Sequence, residues 1–229
     1  MRFFDIVLCA ECLRSAEKAR NGTKSLEFTA RLCYNGIGAI EKTQRRVIET
    51  DFIEVTPKSK NLRKIKKLYK TAFPKDERAP FWLLKKRAKS DCADFWALYD
   101  GEEFIGMAYV VRYEALAYLF YLAIDDGKRG KGYGTKAITE LKARYGGGKL
   151  FLALEQLDES APNYEQRLKR HAFYESCGLH DLPHKIKEAS VVYAVMGFGE
   201  AVEPEEYEEM MKRYLGGFLY KTVDVRMID

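Results

Sequence analysis

The chain has 229 residues and a mass of 26.4 kDa, which suits one domain of ordinary size with an extension, or two small domains. Hydrophobic residues make up 47% of the chain and aromatic residues 13%, which is ample for a packed core and excludes global disorder. The formal net charge of +5 is unevenly spread, because residues 60–89 contain twelve Lys or Arg against only Asp76 and Glu77. Such a segment is typical of a solvated helix face, and less often of a surface for nucleic acid or an acidic ligand.

Apolar runs and cysteines indicate the compartment. No stretch is apolar for long enough to predict a transmembrane helix, and Asp5 and Glu11 interrupt the first apolar run, which argues against a signal peptide. Five cysteines without regular spacing indicate reduced thiols. Cys9-x-x-Cys12, followed by Cys33, lacks the fourth ligand of a structural zinc site. We therefore expect a cytoplasmic protein without membrane contact or bound metal.

The first fifty residues show no sustained periodicity, and we interpret residues 1–50 as an N-terminal extension whose order the sequence does not define. Residues 51–229 are expected to form the functional domain. Strands are predicted at Phe52–Val55, Phe95–Tyr99, Glu103–Val111, Leu116–Ile124, Lys149–Glu155, Ser190–Phe198 and Phe218–Met227. Helices are predicted at Leu62–Phe73, Pro80–Ser90, in the segment that ends at Tyr145, at Asn163–Cys177 and at Glu203–Leu215. This order describes an α/β protein, in which a mixed sheet carries helices on its faces.

The most informative stretch is residues 118–145, where an apolar strand, a basic glycine-rich loop and an amphipathic helix follow one another. Unpaired amides at the start of a helix, together with the helix dipole, can hold a phosphate. A P-loop is excluded because no Gly-Lys pair precedes Ser or Thr. A dinucleotide fingerprint is disfavoured because Gly130, Gly132 and Gly134 alternate, and no βαβ repeat surrounds them. A tight turn without ligand is the remaining alternative, and alternating glycines would be an entropically wasteful way to form it.

Two motifs resemble those of one enzyme family. Arg129-x-x-Gly132-x-Gly134, between a strand and a helix, resembles the R/Q-x-x-G-x-G/A pyrophosphate signature of the GCN5-related N-acetyltransferase (GNAT) superfamily. The segment FYESCGL at residues 173–179 resembles the second motif of that family, in which a helix carrying a tyrosine ends at a glycine. The order of elements from Phe52 to Phe198, about two-thirds of the chain, is similar as well. The resemblance implies a GNAT-like acyl-CoA N-acyltransferase fold, a central mixed sheet with splayed parallel strands flanked by helices.

The resemblance also implies a site for acetyl-CoA as co-substrate, with no metal. The cofactor would lie where Leu116–Ile124 and Lys149–Glu155 splay apart, with the loop amides around its pyrophosphate. Backbone groups of the first strand would hold the pantetheine arm and polarise the thioester carbonyl, as fixed dipoles at a developing oxyanion do. The cofactor-binding residues expected in this way are Leu122, Ala123, Ile124, Arg129, Gly130, Lys131, Gly132, Tyr133, Gly134 and Thr135.

Two side chains are candidates for catalysis. Tyr174 stands where the family's general acid usually stands; the alternative is a tyrosine that only packs between helix and sheet. Glu155 ends an apolar strand beside the splay and is the candidate general base; the alternatives are a solvated strand end or a partner for Arg167. Arg167 and Arg170 stand where many members have Asn and Ala, so guanidinium groups would meet cofactor phosphates or an acidic part of the substrate.

The leading hypothesis is an N-acetyltransferase that transfers the acetyl group of acetyl-CoA to a primary amine of a small molecule or peptide, by direct attack on the thioester. The first alternative keeps the fold but uses another acyl-CoA, or binds CoA as a regulator without turnover. The second is a nucleic-acid-binding or tRNA-modifying protein that uses residues 60–89. The lysines there lack interleaved exposed aromatic residues, which does not favour a nucleic-acid partner. The sequence does not define the oligomeric state, and a homodimer is among the assemblies that it allows.

Overall fold

A computed structural model describes residues 50–56, 58–188 and 191–229. The paired cysteines near the N-terminus and most of the predicted extension lie outside these residues. The strands are β1 (Asp51–Glu54), β2 (Ala93–Asp100), β3 (Glu103–Tyr113), β4 (Leu116–Ile124), β5 (Lys149–Glu155), β6 (His180–Glu188), β7 (Val191–Phe198) and β8 (Val225–Ile228). The helices are α1 (Leu62–Ala72), α2 (Phe81–Arg87), α3 (Tyr133–Tyr145), α4 (Tyr164–Ser176), α5 (Pro204–Leu215) and α6 (Gly217–Thr222).

All eight strands form one mixed sheet in the order β1-β2-β3-β4-β5-β7-β6-β8. The first four strands form an antiparallel meander, whose β2–β3 turn holds Gly101 at φ 61°, as the Asp-Gly pair predicts. The pair β4 and β5 is parallel and is joined by α3. β7 then lies antiparallel to β5, and β6 and β8 complete the sheet. The mixed α/β architecture expected from the sequence is confirmed.

The two faces of the sheet carry different cores. On the first face lie α1, α2 and α5, around a core rich in aromatic rings such as Tyr69, Phe95 and Tyr214. On the second face lie α3 and α4, around a mostly aliphatic core that includes Ile138, Leu141 and residues of β4 and β5. Among the described residues, no helix combines the length and apolarity that crossing a bilayer requires.

Helix α1 shows why much of the basic segment is a surface feature. Its apolar residues recur at helical spacing, so that Ile65, Leu68, Tyr69 and Ala72 are buried against the sheet. The lysines between them lie on the opposite, exposed face. The helix stops before Pro74, whose ring removes the amide that a further turn would need.

The sequence predicts no strand over residues 180–188, and this is wrong, because the segment forms β6. Pro183 hides the alternation of Leu182 and Ile186 with polar residues. The structure accommodates this proline at a register shift between Asp181 and Lys185, where a missing ladder hydrogen bond is tolerated. The next strand, β7, begins at Val191, and Ser190, where the predicted strand starts, lies outside the described residues.

The predicted strand Phe218–Met227 is also wrong in its first half, because residues 217–222 form α6. Leu219, Tyr220 and Val223 pack together against the first core, and this spacing suits a helix and not a strand. Phe218 is 82% exposed, so its ring lacks the packing contacts through which a phenylalanine favours a strand. The real strand, β8, covers Val225–Ile228.

Candidate active site

The central feature of the site is a gap between β4 and β5. The two strands pair only where Leu116–Tyr118 lie beside Lys149–Phe151. Beyond these pairs, β4 continues to Ile124 beside β3, and β5 continues to Glu155 beside β7. Each strand is therefore held by its outer neighbour while the two separate from each other. The separation leaves backbone N–H and C=O groups along the inner edge of β4, where an extended ligand can bond to them.

A β-bulge lies where the gap begins. Tyr109 pairs with Tyr121 and Val110 with Leu119, so Phe120 is the extra residue in β4. Bulges bend the strand that carries them and increase its twist, which turns the end of β4 away from β5. Gly106 lets β3 follow this bend closely, since a Cβ there would stand 2.5 Å from the Ala123 carbonyl oxygen. The residues expected to hold the pantetheine, Leu122 to Ile124, follow the bulge directly.

The loop after β4 is fastened back onto the strand end. A short 3-10 turn, Asp126–Lys128, leads to Arg129. The Arg129 Nε donates to the Ile124 carbonyl at 3.1 Å, and its guanidinium pairs with Asp126 at 2.5 Å. Arg129 thus shapes the loop, and part of its charge is already balanced by Asp126.

Two glycines then turn the chain into α3. Gly130 and Gly132 have φ values of 72° and 84°, a left-handed region that other residues enter at a cost of about 1–2 kcal/mol. The first hydrogen bond of α3 is donated by Lys136 to the Gly132 carbonyl at 3.0 Å. The amides of Tyr133, Gly134 and Thr135 precede it, and the N-cap residue, Gly132, has no side chain that could cap them. They point out of the helix N-terminus, where its dipole favours an anion.

The Tyr133 side chain has a structural role beside this loop. Its hydroxyl donates to the Asp100 carboxylate at 2.6 Å and is buried, which ties α3 to the end of β2. The Lys131 Nζ lies 3.3 Å from the Gly127 carbonyl on the exposed side of the loop. Of the predicted loop residues, the glycines and the first amides of α3 thus form the turn into the helix, while Arg129 and Tyr133 hold that turn in shape.

Tyr174 lies on α4 and is completely buried. It belongs to the same core cluster as Leu122 and Ile124 of β4 and Leu154 of β5. The tyrosine therefore lies on the face of the sheet onto which both strands of the gap direct side chains. This position agrees with the role expected for it and does not by itself assign the role.

Glu155 ends β5 inside a cluster of polar side chains that we call the Glu155 cluster: Glu155, Asn163, Arg167 and Arg170. One carboxylate oxygen pairs with Arg167 at 2.9 Å and the other with Arg170 at 3.1 Å. The Asn163 amide donates to both oxygens at 3.2–3.3 Å, and the Arg167 guanidinium also bonds the Gln156 carbonyl at 2.8 Å. The carboxylate is 15% exposed and surrounded by donors, which corresponds to the alternative of a partner for Arg167.

A cleft of about 500 Å³ opens beside this cluster, within the usual size range of small-molecule sites. The end of α1 and the turn after it form one wall, and α4 forms the other. Because α1 lies on one face of the sheet and α4 on the other, the cleft lies at the end of the sheet, next to Glu155 at the end of β5. The lining residues are Lys70, Thr71, Ala72, Phe73, Pro74, Lys75, Arg78, Asn163, Gln166 and Arg170.

Sequence reasoning missed two tyrosines that position the wall formed by the segment after α1. The Tyr121 hydroxyl donates to the Glu77 carbonyl at 3.0 Å and accepts from the Ala79 amide at 3.0 Å. The Tyr69 hydroxyl donates to the Ala79 carbonyl at 2.9 Å. Burial raises the pKa of both phenols, so they stay neutral and keep these bonds. The sequence marks both residues as apolar positions, but it carries no signal for the partners of their hydroxyls.

The described residues contain no group of three or more His, Cys, Asp or Glu side chains that could hold a metal ion. The free thiol of Cys177 is half-buried at the end of α4, and burial raises its pKa.

Comparison with known proteins agrees with this geometry. A sequence model described as the acetyltransferase (GNAT) family matches residues 62–179, which contain β4, the loop, α3, β5 and α4. A search of curated protein sequences finds no match.

Solved structures are similar in fold. A protein of Bacteroides thetaiotaomicron assigned to the GNAT family is 16% identical, with a TM-score of 0.55 over 74% of this chain and 98% of that one. An aminoglycoside 6'-N-acetyltransferase in complex with coenzyme A is 16% identical, with a TM-score of 0.52 over 67% and 99% of the two chains. The aminoglycoside 6'-N-acetyltransferase of Enterococcus faecium is 15% identical, with a TM-score of 0.50 over 67% and 99%.

Proposed function

Because the chain belongs to the acetyltransferase (GNAT) family and is an acyltransferase, we propose that it transfers the acetyl group of acetyl-CoA to a primary amine by direct attack on the thioester. The observation that carries this proposal is the continuity of the gap with the anion-binding loop. One strand, β4, supplies an open backbone edge and then leads, within ten residues, to the N-terminus of α3. An extended thiol ester with a pyrophosphate at one end matches that arrangement.

In this proposal, the pyrophosphate is bound by the amides at the start of α3, and the pantetheine arm lies along the inner edge of β4. A similar structure in complex with coenzyme A supports CoA as the ligand. The glycines matter because a side chain at Gly132 would stand between the phosphates and the backbone. An N–H of β4 directed at the thioester carbonyl stabilises the oxyanion that forms when the amine attacks.

The chemical step needs one proton donor and one acceptor. A neutral amine attacks the carbonyl carbon, the carbon–sulfur bond breaks, and the thiolate of CoA leaves. We propose that the Tyr174 hydroxyl gives its proton to that sulfur, because the tyrosine lies on the face of the sheet shared by both strands of the gap. The attacking nitrogen loses its proton to solvent, and the Tyr174 phenolate regains one from solvent, so the net reaction moves one proton from the amine to the thiol of CoA.

For Glu155, the contacts support a positioning role. The carboxylate holds Arg167 and Arg170 in place through both of its oxygens, and three donors occupy the lone pairs that a general base would use. The general-base role that the sequence suggested remains the alternative. Glu155→Gln separates the two. Loss of a positioning group raises KM for the acceptor, whereas loss of the base lowers kcat and removes the acid limb of its pH profile.

The test of the proposal begins with calorimetric titration of CoA and with thiol release from acetyl-CoA in the presence of primary amines. Tyr174→Phe should lower kcat by about 100-fold, the lower end of general-acid contributions, with the Kd for CoA within twofold. Tyr164→Phe, on the same helix but outside the site, is the matched control. Absence of CoA binding by the native protein would refute the proposal, and full activity of Tyr174→Phe would remove the acid role.

The acceptor cannot be taken from the similar structures. Two of them act on aminoglycosides, but at 15–16% identity the likeness shows the fold alone. The cleft of this chain has to supply the acceptor class.

A further inference from the structure

The cleft between the end of α1 and α4, which we call the basic cleft, carries an unusual set of charges. Its cationic lining residues are Lys70, Lys75, Arg78 and Arg170, and none of the described residues in its lining is acidic. Arg170 pairs with Glu155 at 3.1 Å, so its charge is already balanced by a carboxylate. The cations that the lining presents to a ligand are therefore Lys70, Lys75 and Arg78.

The charges converge from three separate elements. Lys70 lies in the last turn of α1, where the helix dipole itself favours a cation, so this lysine needs no ligand to explain it. Arg78 comes from the segment between α1 and α2, and Arg170 comes from α4 on the other face of the sheet. Glu155 accounts for the burial of Arg170, whereas neither a helix dipole nor a solvated helix face accounts for the half-buried Arg78.

The burial of a guanidinium is costly without a negative partner. Arg170, which is only 8% exposed, has such a partner in Glu155. Arg78 is half-buried; one of its terminal nitrogens donates to the Lys70 carbonyl at 3.1 Å, and its buried Nε has no hydrogen-bond partner among the described residues. Arg78 therefore faces the cleft with a positive charge that only a neutral carbonyl partly satisfies. Desolvated charge of this kind is stabilised by an anion, and the guanidinium fork fits carboxylate or phosphate.

We propose that the basic cleft binds an anionic group of the acceptor, so that the acceptor is a primary amine that also carries a carboxylate or a phosphate. This inference rests on the proposed function, since it places the acceptor at the end of the sheet, near the open end of the gap. Arg78 is the specificity-determining residue, and Lys70 and Lys75 add to the positive potential around the anion. A polycationic amine is disfavoured in this cleft, because it would bring positive charge against the arginines.

The cofactor has its own anion site, which lies elsewhere. The amides and glycines of residues 129–135 are absent from the lining of the basic cleft among the described residues. Loss of Arg78 should therefore change acceptor kinetics without changing the affinity for CoA. This separation gives the inference a test of its own.

The experiment compares amines that differ only in the anion. Two matched pairs are phosphoethanolamine with ethanolamine, and β-alanine with its amide, and spermidine serves as the polycation. Thiol release should show a kcat/KM at least tenfold higher for the anionic member of at least one pair, a difference of about 1.4 kcal/mol. Titration of the same amines into the CoA-bound protein gives a second readout that does not depend on turnover.

Variants of Arg78 and of a control arginine test whether the preference for anionic amines arises in the basic cleft. Arg78→Gln should raise KM for the preferred anionic amine at least tenfold and leave the Kd for CoA within twofold, and Arg78→Lys should recover part of the loss. Arg63→Gln, an exposed arginine of α1 outside the cleft lining, is the matched control and should behave as the native protein. A tenfold weaker CoA affinity in Arg78→Gln, with acceptor kinetics unchanged, would assign the arginine to the cofactor and overturn the inference.

The remaining outcomes separate the two proposals. If the protein binds CoA and acetylates neutral amines or spermidine as well as the anionic ones, the proposed function stands and the anionic acceptor is refuted. If it binds CoA but neither acetylates nor binds any anionic amine in preference to its neutral partner, the inference is again refuted. If it does not bind CoA, the proposed function itself fails.

Discussion

The two ends of the β4–β5 pair differ in what holds them. At the closed end, the strands are hydrogen-bonded and the rings of Tyr118 and Phe151 stack at 4.6 Å with an interplanar angle of 7°. Tyr207 of α5 packs against both rings, at centroid distances of 6.0 and 6.4 Å. At the open end, the strands no longer bond to each other, and Tyr121 reaches with its hydroxyl to the backbone after α1.

The difference shows how a single sheet can be both a rigid core and a binding site. At the closed end, ring packing adds to the hydrogen bonds between the two strands. At the open end, β4 and β5 do not pair over several residues. Hydrogen bonds from buried tyrosines position the segment after α1 there. The gap is stable because its two walls are held from outside, by β3 and by β7.

The largest predicted effect is on stability at high pH, and it comes from the buried tyrosine at each end of the β4–β5 pair. Burial raises the pKa of Tyr118 at the closed end and of Tyr121 at the open end well above 10. Below pH 10, the phenols are protonated in the folded and unfolded chains alike, and the free energy of unfolding is unaffected. Above pH 10, the unfolded chain loses these protons first, so stability falls by about 1.4 kcal/mol per pH unit for each buried tyrosine.

Tyrosinate absorbance and circular dichroism, followed together from pH 9 upward, check this prediction. Ionisation of the buried phenols should coincide with loss of the fold. Tyr118→Phe and Tyr121→Phe should each reduce the pH dependence of stability by one tyrosine, because both ends are equally desolvated. Tyrosinate formation throughout the chain near pH 10, with the dichroism still native, would show that one or both ends admit water.

The second prediction contrasts the hydroxyls of the two ends. Tyr121→Phe leaves the Ala79 amide and the Glu77 carbonyl without their buried partner, which should cost about 1–3 kcal/mol. Tyr207→Phe should change stability by no more than about 0.5 kcal/mol, because no described residue bonds that buried hydroxyl. Urea unfolding of both variants measures the contrast. Equal losses would mean that the rings alone, and not the hydroxyl bonds, hold the open end.

Much of the fold could be predicted because the signals are local. The strand, loop and helix of residues 118–145 carry periodicity and turn residues that tertiary packing does not override. β6 was missed because Pro183 is normally a sign against a strand, and only the partner strand reveals the bulge that accommodates it. The sequence predicts a strand from Phe218 because Phe, Leu and Tyr favour one, whereas the available core surface selects a helix over residues 217–222.

The site, like the fold, could be predicted only where its signals are local in the sequence. The glycine spacing predicts the loop, because glycines at alternate positions indicate a turn with positive φ angles. The FYESCGL motif predicts the position of Tyr174. The gap itself depends on the bulge at Phe120, for which no residue pattern exists. The Glu155 cluster joins two elements across a loop, and sequence reasoning could name Arg167 as one partner of Glu155 without showing that Arg170 holds the other oxygen.

The smallest predicted effect tests the loop that extends the open end. Gly132→Ala places a Cβ on a residue at φ 84°, beside the amides proposed to bind pyrophosphate. Gly199→Ala is the matched control, since Gly199 has φ 81°, lies after β7, and has open space around the position of a Cβ. Both variants should lose about 1–2 kcal/mol of stability to backbone strain. In calorimetric titration, only Gly132→Ala should weaken CoA binding, by about tenfold, which corresponds to about 1.4 kcal/mol. Equal CoA affinity in both variants would mean that the start of α3 does not contact the cofactor phosphates, and would leave the open edge of β4 as the cofactor's sole anchor in the proposal.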